Sequence, residues 1–251
     1  MDRTTRTTED VLELLDGLFA HDADKWERFY DDRSRPVPFF VPKPDENLVG
    51  YLDDGLVDPA AGRALDLGCG PGRNALFLAE RGFEVDAVDL SPGALAWARE
   101  RAREAGHENI RFLQGNAFSG ALDKDLDQAP YDLIYDSGCF HHLPPHRRGT
   151  YLDFLTHHLA PGGHFALTCF AAGPDGMGSE LPDPAFYRDA SLHGGLAYTA
   201  TSLRTLFTDA TVLEELALRR MHAEPPTSAR FGEPFLWTGL FRRADLPDVS
   251  R

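Results

Sequence analysis

A glycine-rich turn between an apolar strand and a helix constrains the fold of this chain more than any other feature. Residues 64–74 read Ala-Leu-Asp-Leu-Gly-Cys-Gly-Pro-Gly-Arg-Asn, and a second apolar strand follows the helix and ends on Asp89. Glycine lets the backbone turn tightly and approach a ligand closely. An acid at the end of the second strand can accept hydrogen bonds from both hydroxyls of a ribose. The pattern therefore predicts an α/β fold with a site for a nucleoside-containing cofactor.

Asp66, which comes just before the glycines, decides which nucleoside is expected. A dinucleotide site reads Gly-x-Gly-x-x-Gly and holds its pyrophosphate at the N-terminus of the helix. A carboxylate at position 66 would repel a pyrophosphate, whereas it suits a cation such as the ammonium group of an amino acid. A dehydrogenase remains an alternative only if this argument about Asp66 fails.

With Asp66 before the glycines and Asp89 after them, the chain resembles the class I S-adenosylmethionine-dependent methyltransferases. Residues 131–143 (Tyr-Asp-Leu-Ile-Tyr-Asp-Ser-Gly-Cys-Phe-His-His-Leu) and 26–30 (Trp-Glu-Arg-Phe-Tyr) are similar to stretches of the thiopurine, thiol and tellurite methyltransferase group. The specific part of the resemblance covers about residues 60–170. It implies S-adenosyl-L-methionine as the cofactor and methyl transfer to a sulfur, oxygen or nitrogen atom of a small molecule such as a secondary metabolite.

The cofactor site is expected at the carboxyl ends of the first four strands, because ligands bind there in open α/β sheets. The resemblance implies that Asp89 binds the ribose and that Leu90 covers the adenine. The amide oxygen of Asn116 is expected to accept a hydrogen bond from the adenine amino group, the alternative being a plain turn residue. Arg33 or Arg35 is a candidate partner of the cofactor carboxylate, unless both are ordinary surface arginines. The residues predicted to bind the cofactor are Asp66, Gly68, Gly70, Gly72, Asn74, Asp89, Leu90, Asn116, Ala117 and Asp136.

Residues that follow the fourth strand are expected beside the transferred methyl group. Asp136 and His141 are the predicted catalytic residues, since either side chain could act as a general base on a phenol or an amine, whereas a thiol needs little help. No metal site is predicted, because no carboxylate or cysteine completes a ligand set with His141, His142 and His146. The aromatic residues Phe29, Tyr30, Phe39 and Phe40 before the core are expected to cover the sulfonium by cation–π contact or to build a substrate pocket. The alternative is that they only pack the N-terminal segment onto the sheet. The residues predicted to contact the substrate are Phe29, Tyr30, Phe40 and His141.

Strands that alternate with helices predict a Rossmann-like, mostly parallel sheet of seven strands. The predicted strands are 63–67, 84–89, 110–114, 131–136, 164–170, 211–221 and 235–242, and the predicted helices are 9–29, 45–52, 73–81, 92–104, 147–159 and 200–207. Because a loop joins the last two strands, one edge strand is expected to be antiparallel. We expect an N-terminal helical and aromatic cap at residues 1–55 and a methyltransferase core at 56–251, with a lid inserted at about 171–198.

The composition argues against several other functions. The net charge of −15 and the lack of a basic stripe argue against nucleic-acid and anionic-membrane partners. The sequence contains neither a long apolar run nor a signal-peptide core at its start, so a cytoplasmic location is expected. Two functions other than methylation stay open. The chain could be a pericyclase or isomerase that uses the cofactor without consuming it, or a regulatory protein that binds the cofactor.

Overall fold

The computed structural model describes residues 5–22, 26, 28–59, 62–126 and 129–244. The strands are β1 (Arg63–Leu67), β2 (Glu84–Asp89), β3 (Ile110–Gln114), β4 (Tyr131–Ser137), β5 (Leu159–Phe170), β6 (Leu213–Arg220) and β7 (Leu236–Arg243). The α-helices within the described residues are α1 (Thr8–Asp16), α2 (Glu46–Asp53), α3 (Arg73–Glu80), α4 (Pro92–Ala105), α5 (Asp123–Leu126), α6 (Arg148–His158), α7 (Asp183–Asp189) and α8 (Ala200–Arg204).

The seven strands form one sheet in the order β3-β2-β1-β4-β5-β7-β6. Strands β1 to β5 pair in parallel, and β7 runs antiparallel to both β5 and β6. The predicted Rossmann-like class is therefore confirmed, and the antiparallel strand lies second from the edge. The strand order reverses at β1, so the turn after this strand opens at the switch point where open α/β sheets bind ligands.

Alternating side chains of the central strands pack into two hydrophobic cores, one on each face of the sheet. Along β1, Leu65 and Leu67 belong to one core and Ala64 to the other, as the two-residue period of a strand requires. The first core includes residues of α6, and the second includes residues of α2, α3 and α4. Burial on both faces explains why apolar residues occupy adjacent positions in these strands, as Ala64 and Leu65 do in β1.

The ends of several elements follow from local signals. Helix α4 starts at Pro92, its N-cap Ser91 accepts a hydrogen bond from the backbone N–H of Ala94 at 3.1 Å, and it stops at the left-handed Gly106, close to the predicted 92–104. The predicted helix 9–29 is instead the shorter α1 followed by a 3-10 turn at Gly17–Asp22. The rest of that prediction includes residues 23–25 and 27, which lie outside the described residues.

Strand β5 starts five residues before the predicted strand 164–170. Leu159 has extended backbone angles directly after α6 and pairs with Tyr131, and the register then shifts between Tyr131 and Leu133. The Pro-Gly-Gly sequence at 161–163 therefore lies within an irregular strand rather than in a loop.

The segment 171–198, predicted as a lid without regular structure, contains α7 and is joined to itself and to the sheet by backbone hydrogen bonds. Within the segment, Ser179 N–H donates to the Gly195 carbonyl at 2.8 Å, and Tyr198 N–H donates to the carbonyl of Phe170 in β5 at 3.0 Å. Its role as a lid and the division of the chain at residue 55 stay predictions. Among the described residues, no helix is long and apolar enough to span a membrane.

Candidate functional site

A cavity of about 330 Å³ opens beyond the carboxyl ends of the parallel strands. It is lined by the turn after β1, the ends of β2 and β4, the turn after β3, and aromatic residues from the N-terminal segment and from the β7 side. Eight of the ten residues predicted to bind the cofactor line it. They are Asp66, Gly68, Gly70, Asn74, Asp89, Leu90, Asn116 and Ala117.

Two glycines of the turn after β1 have no room for a side chain. At Gly68, with φ of +66°, a Cβ would lie 2.9 Å from the Cβ of Cys139. At Gly72, with φ of +79°, it would lie 3.0 Å from the Cβ of Ala98 in α4. Gly72 is not among the described residues that line the cavity. Gly72 lets α3 start close against α4, and its predicted contact with the cofactor stays a prediction.

Asp66 presents an unpaired carboxylate oxygen at this turn. The residue is 1% exposed, and its Oδ2 has no hydrogen-bond partner within the described part of the chain. Burial raises the pKa of Asp66 to about 8, against the opposing effect of the Arg73 guanidinium. A buried carboxylate that lines a cavity with one oxygen free suits a cationic ligand group, because such a group restores the charged form.

Asp89 sits at the end of β2 with both carboxylate oxygens bonded to backbone. Oδ2 accepts the Gly70 N–H and Oδ1 accepts the Ser91 N–H, both at 2.8 Å. Burial raises its pKa, and these N–H groups oppose the rise. Each oxygen keeps a second lone pair, so the carboxylate is fixed in place and can still accept two ligand hydroxyls. Leu90 lies beside it at the cavity wall with half of its surface exposed.

The turn after β3 contributes Asn116 and Ala117 to the wall. Asn116 Oδ1 accepts the backbone N–H of Phe118 at 2.9 Å, so the side chain shapes its own turn. One lone pair of this oxygen is left for a ligand, and contact with an adenine amino group stays a prediction.

Arg73 is the cationic residue that sequence reasoning missed. It is the only Arg or Lys among the described residues that line the cavity. Its guanidinium pairs with Asp45 and donates to Ser137 Oγ at 3.0 Å. Asp45 is fully buried and also accepts hydrogen bonds from Asn74 Nδ2, Tyr135 and Ser137. This network ties the N-terminal segment to the turn after β1.

The predicted carboxylate partners Arg33 and Arg35 lie elsewhere, which corrects that expectation. Arg33 pairs with Glu100 at 2.5 Å, and Arg35 lies over the ring of Phe29. Neither lines the cavity. The signal that points to Arg73 is its position directly after Gly72 in the glycine motif, where the start of α3 carries it to the cavity wall.

Asp136 is not at the cavity wall, contrary to the prediction that it binds the cofactor and acts as a base. The side chain is fully buried and accepts hydrogen bonds from the Cys139 N–H at 2.8 Å, the Phe140 N–H at 3.0 Å and the Tyr151 hydroxyl at 2.7 Å. Burial raises its pKa to about 6, against these donors. Asp136 therefore holds the turn after β4 in shape, while the next residue, Ser137, faces the cavity.

His141 does line the cavity, and its ring orientation is set by the backbone of β5. Phe170 N–H donates to Nδ1 at 3.2 Å, and the Phe170 ring stacks on the imidazole with 3.7 Å between centroids. Burial and the neighbouring His142 hold the pKa of His141 well below its ordinary value. With Nδ1 occupied by a donor, the neutral ring carries its proton on Nε2. His141 therefore presents a hydrogen-bond donor, not the predicted base.

Of the aromatic residues predicted to contact substrate, Tyr30 lines the cavity, whereas Phe29 and Phe40 do not. Phe29 and Phe40 pack edge-to-face with each other, with ring centroids 5.6 Å apart, so their predicted contact with the substrate stays a prediction. Phe39, another of the aromatic candidates, lines the cavity, and so does Trp26. Within the described ranges, no group of three or more His, Cys, Asp or Glu side chains is arranged to hold a metal ion.

Comparisons with known proteins agree with this geometry. Residues 64–163 match the family model described as a methyltransferase domain. The chain is 30% identical over 165 residues to the 2-heptyl-1-hydroxyquinolin-4(1H)-one methyltransferase of Mycobacteroides abscessus, which covers 65% of this chain and 66% of that protein. It is 34% identical over 149 residues to the trans-aconitate 2-methyltransferase of Methylobacterium nodulans, covering 58% and 48%. The chain thus spans about half to two thirds of these curated relatives.

Solved structures share the fold. A structure described as the conversion of a disulfide bond into a thioacetal group during echinomycin biosynthesis matches with a TM-score of 0.66 and 24% identity, covering 91% of this chain and 94% of that one. The Burkholderia thailandensis 1,6-didemethyltoxoflavin-N1-methyltransferase, bound to its substrate and S-adenosylhomocysteine, matches with a TM-score of 0.59 and 22% identity, covering 98% and 94%. TehB from Haemophilus influenzae matches with a TM-score of 0.55 and 19% identity, covering 78% and 61%.

Proposed function

We propose that this chain methylates a sulfur, oxygen or nitrogen atom of a small molecule, with S-adenosylmethionine as the methyl donor, because residues 64–163 match the methyltransferase-domain model. The observation that carries the proposal is the free Oδ2 of buried Asp66 in the glycine turn. The ammonium group of the cofactor can donate a hydrogen bond to this oxygen. The negative charge of a pyrophosphate would instead be repelled by the ionised carboxylate. The relatives' acceptors, a hydroxyquinolinone and trans-aconitate, support a small molecule without favouring one class.

The residues of the cavity suit the other parts of the cofactor. Arg73 is the candidate for the carboxylate, since its guanidinium is held by Asp45 and lines the cavity. Asp89 is the candidate for the ribose hydroxyls, and Leu90 for the adenine face. S-adenosylmethionine supplies a methyl group that its positively charged sulfur already activates.

The chain's own task is then to orient the acceptor and exclude water. Orientation of this kind contributes about 7–11 kcal/mol to rate enhancement. In the described part of the cavity wall, the carboxylates are Asp66 and Asp89, both on the side of the glycine turn, and His141 presents a donor. These features favour an acceptor atom that is nucleophilic without a strong protein base, such as a thiol or an aromatic nitrogen.

Release of S-adenosylhomocysteine tests the proposal across thiol, phenol, amine and carboxylate acceptors, with cofactor binding measured in parallel by calorimetry. Asp89→Asn should weaken binding of S-adenosylhomocysteine at least about tenfold, because it removes charge-assisted hydrogen bonds. Asp53→Asn is the matched control, since Asp53 is an exposed acid that pairs with Arg81 outside the cavity. If wild type and Asp89→Asn bind S-adenosylhomocysteine with equal affinity, the proposed cofactor site at Asp89 is wrong. Binding without product release from any acceptor would favour a non-methylating enzyme or a regulatory protein.

A further inference from the structure

The cavity has a second end that is mainly aromatic. Beyond the glycine turn it is lined by the side chains of Trp26, Phe39, Phe170, Met177, Phe231 and Phe235. Asp66, Arg73 and Asp89 are the only Asp, Glu, Lys or Arg residues on the described part of the wall, and they belong to β1, the start of α3 and the end of β2. The Arg73 guanidinium lies over the Phe231 ring, 4.3 Å from its centroid, and is paired with buried Asp45. A carboxylate in the aromatic end would lose its hydration, and the nearby cation on the described part of the wall, Arg73, is already paired with Asp45. Burial of that carboxylate is therefore costly.

The polar groups at this end are mostly occupied. Ser137 Oγ donates to Asp45, and Thr168 Oγ1 lies 3.3 Å from the Tyr135 hydroxyl. His141 differs because its one hydrogen-bonded ring nitrogen is Nδ1, and the described residues provide no partner for Nε2. A buried, neutral N–H on a cavity wall stays without a hydrogen bond unless the ligand supplies an acceptor.

His141 is also held rigidly. Its ring is stacked on Phe170, and its carbonyl accepts the Leu196 N–H at 2.7 Å, so it is clamped between β5 and the segment 171–198. Nε2 lies 4.0 Å from the point where a Cβ would stand on Gly138, a residue of the cavity wall directly after β4. The donor is therefore fixed next to the end of β4.

We propose that the acceptor of this enzyme is an uncharged, flat aromatic molecule, and that its carbonyl oxygen or ring nitrogen accepts the Nε2–H of His141 while its ring packs between the aromatic walls. This proposal rests on the proposed function and narrows its substrate class. His141 is a specificity-determining residue, and acceptors whose recognition depends on a carboxylate are disfavoured.

A matched pair of ring compounds tests the charge preference. Protein saturated with S-adenosylhomocysteine is titrated with 4-hydroxyquinoline, which carries a carbonyl-type acceptor, and with quinoline-4-carboxylate, which has the same bicycle with a full charge. We expect 4-hydroxyquinoline to bind at least about tenfold more tightly. Equal or tighter binding of the carboxylate, or no binding of either compound, would overturn the proposal. Failure of S-adenosylhomocysteine itself to bind would instead contradict the proposed function.

Variants of His141 test the donor. His141→Phe keeps a flat ring and removes the N–H, and it should weaken 4-hydroxyquinoline binding about tenfold, whereas His141→Gln, which retains a donor, should recover part of the loss. His107→Phe is the control, because His107 is remote from the cavity wall. Unchanged binding of S-adenosylhomocysteine by each variant verifies that the fold is intact. If His141→Phe binds 4-hydroxyquinoline as tightly as wild type, the donor role is wrong.

Discussion

The free carboxylate oxygen of Asp66 makes cofactor binding depend on pH. The pKa of this buried group is raised to about 8, so at pH 7 roughly a tenth of the molecules carry the ionised form. An ammonium ligand binds the ionised form. Its apparent affinity at pH 7 is therefore about tenfold, or ~1.4 kcal/mol, weaker than for fully ionised Asp66. Affinity for S-adenosylhomocysteine should therefore rise by close to tenfold per pH unit between about pH 6 and 7.5, with about one proton released on binding at pH 7.

The same group should lower the stability of the cofactor-free protein as the pH rises. Its pKa in the folded state lies above the ordinary value, so the folded state binds more protons than the unfolded state between about pH 4 and 8. The free energy of unfolding then falls over that window. Asp66→Asn removes this effect and should stabilise the cofactor-free protein at pH 7 by up to about 4 kcal/mol, while weakening cofactor binding.

Calorimetric titration with S-adenosylhomocysteine, in buffers of different ionisation enthalpy, measures both the affinity and the released proton. Urea unfolding of wild type and Asp66→Asn at pH 5 and pH 7.5 measures the stability difference. Asp53→Asn should keep the pH dependence of the wild type, because Asp53 is exposed and outside the cavity. Affinity that is constant from pH 6 to 7.5 without proton release would refute the reasoning about Asp66.

Two further predictions concern the turns that shape the site. Gly68→Ala places a Cβ 2.9 Å from the Cβ of Cys139 at φ of +66° and should reduce both stability and cofactor affinity. Gly106→Ala, at φ of +74° with open space around it, is the control and should cost only about 1–2 kcal/mol of strain. Comparable cofactor affinity of the two variants would contradict the argument that the backbone at Gly68 packs too closely for a side chain. Tyr151→Phe removes one hydrogen bond from buried Asp136 and should lower the free energy of unfolding by about 1–3 kcal/mol. Neither Tyr151→Phe nor Asp136→Asn should shift the pH profile of kcat/KM. If the acidic limb of the profile disappears in Asp136→Asn, the conclusion that Asp136 is not a base is wrong.

Local patterns were sufficient to predict that the candidate cofactor residues lie together at one edge of the sheet. The glycines after β1 and the acid that ends β2 are adjacent in sequence to the strands that carry them, so the period of the sheet places them at one edge. Asp66, Gly68, Gly70 and Asp89 accordingly line one cavity. The sheet class was predictable for the same reason, because alternating apolar strands and helices leave few topologies open.

The acceptor end depends on contacts between distant residues. Phe29 and Phe40 differ from their neighbours Trp26 and Phe39 only in the direction that packing gives them, and no periodicity in the proline-rich segment fixes that direction. Arg73 lines the cavity, whereas Arg33 and Arg35 do not, because Asp45, 28 residues away in the chain, holds the Arg73 guanidinium at the wall.

The sequence by itself therefore determined the fold class, the glycine turn and the pair of acids, since each follows from the local period of strands and the steric freedom of glycine. Only the tertiary structure decided what the side chains near the acceptor do. The carboxylate of Asp136 accepts hydrogen bonds within the turn after β4. The neutral ring of His141 carries its proton on Nε2, because the backbone N–H of Phe170, 29 residues away, donates to Nδ1. Hydrogen-bond partners and burial set the protonation of a side chain, and both are properties of the packed chain rather than of the residue type.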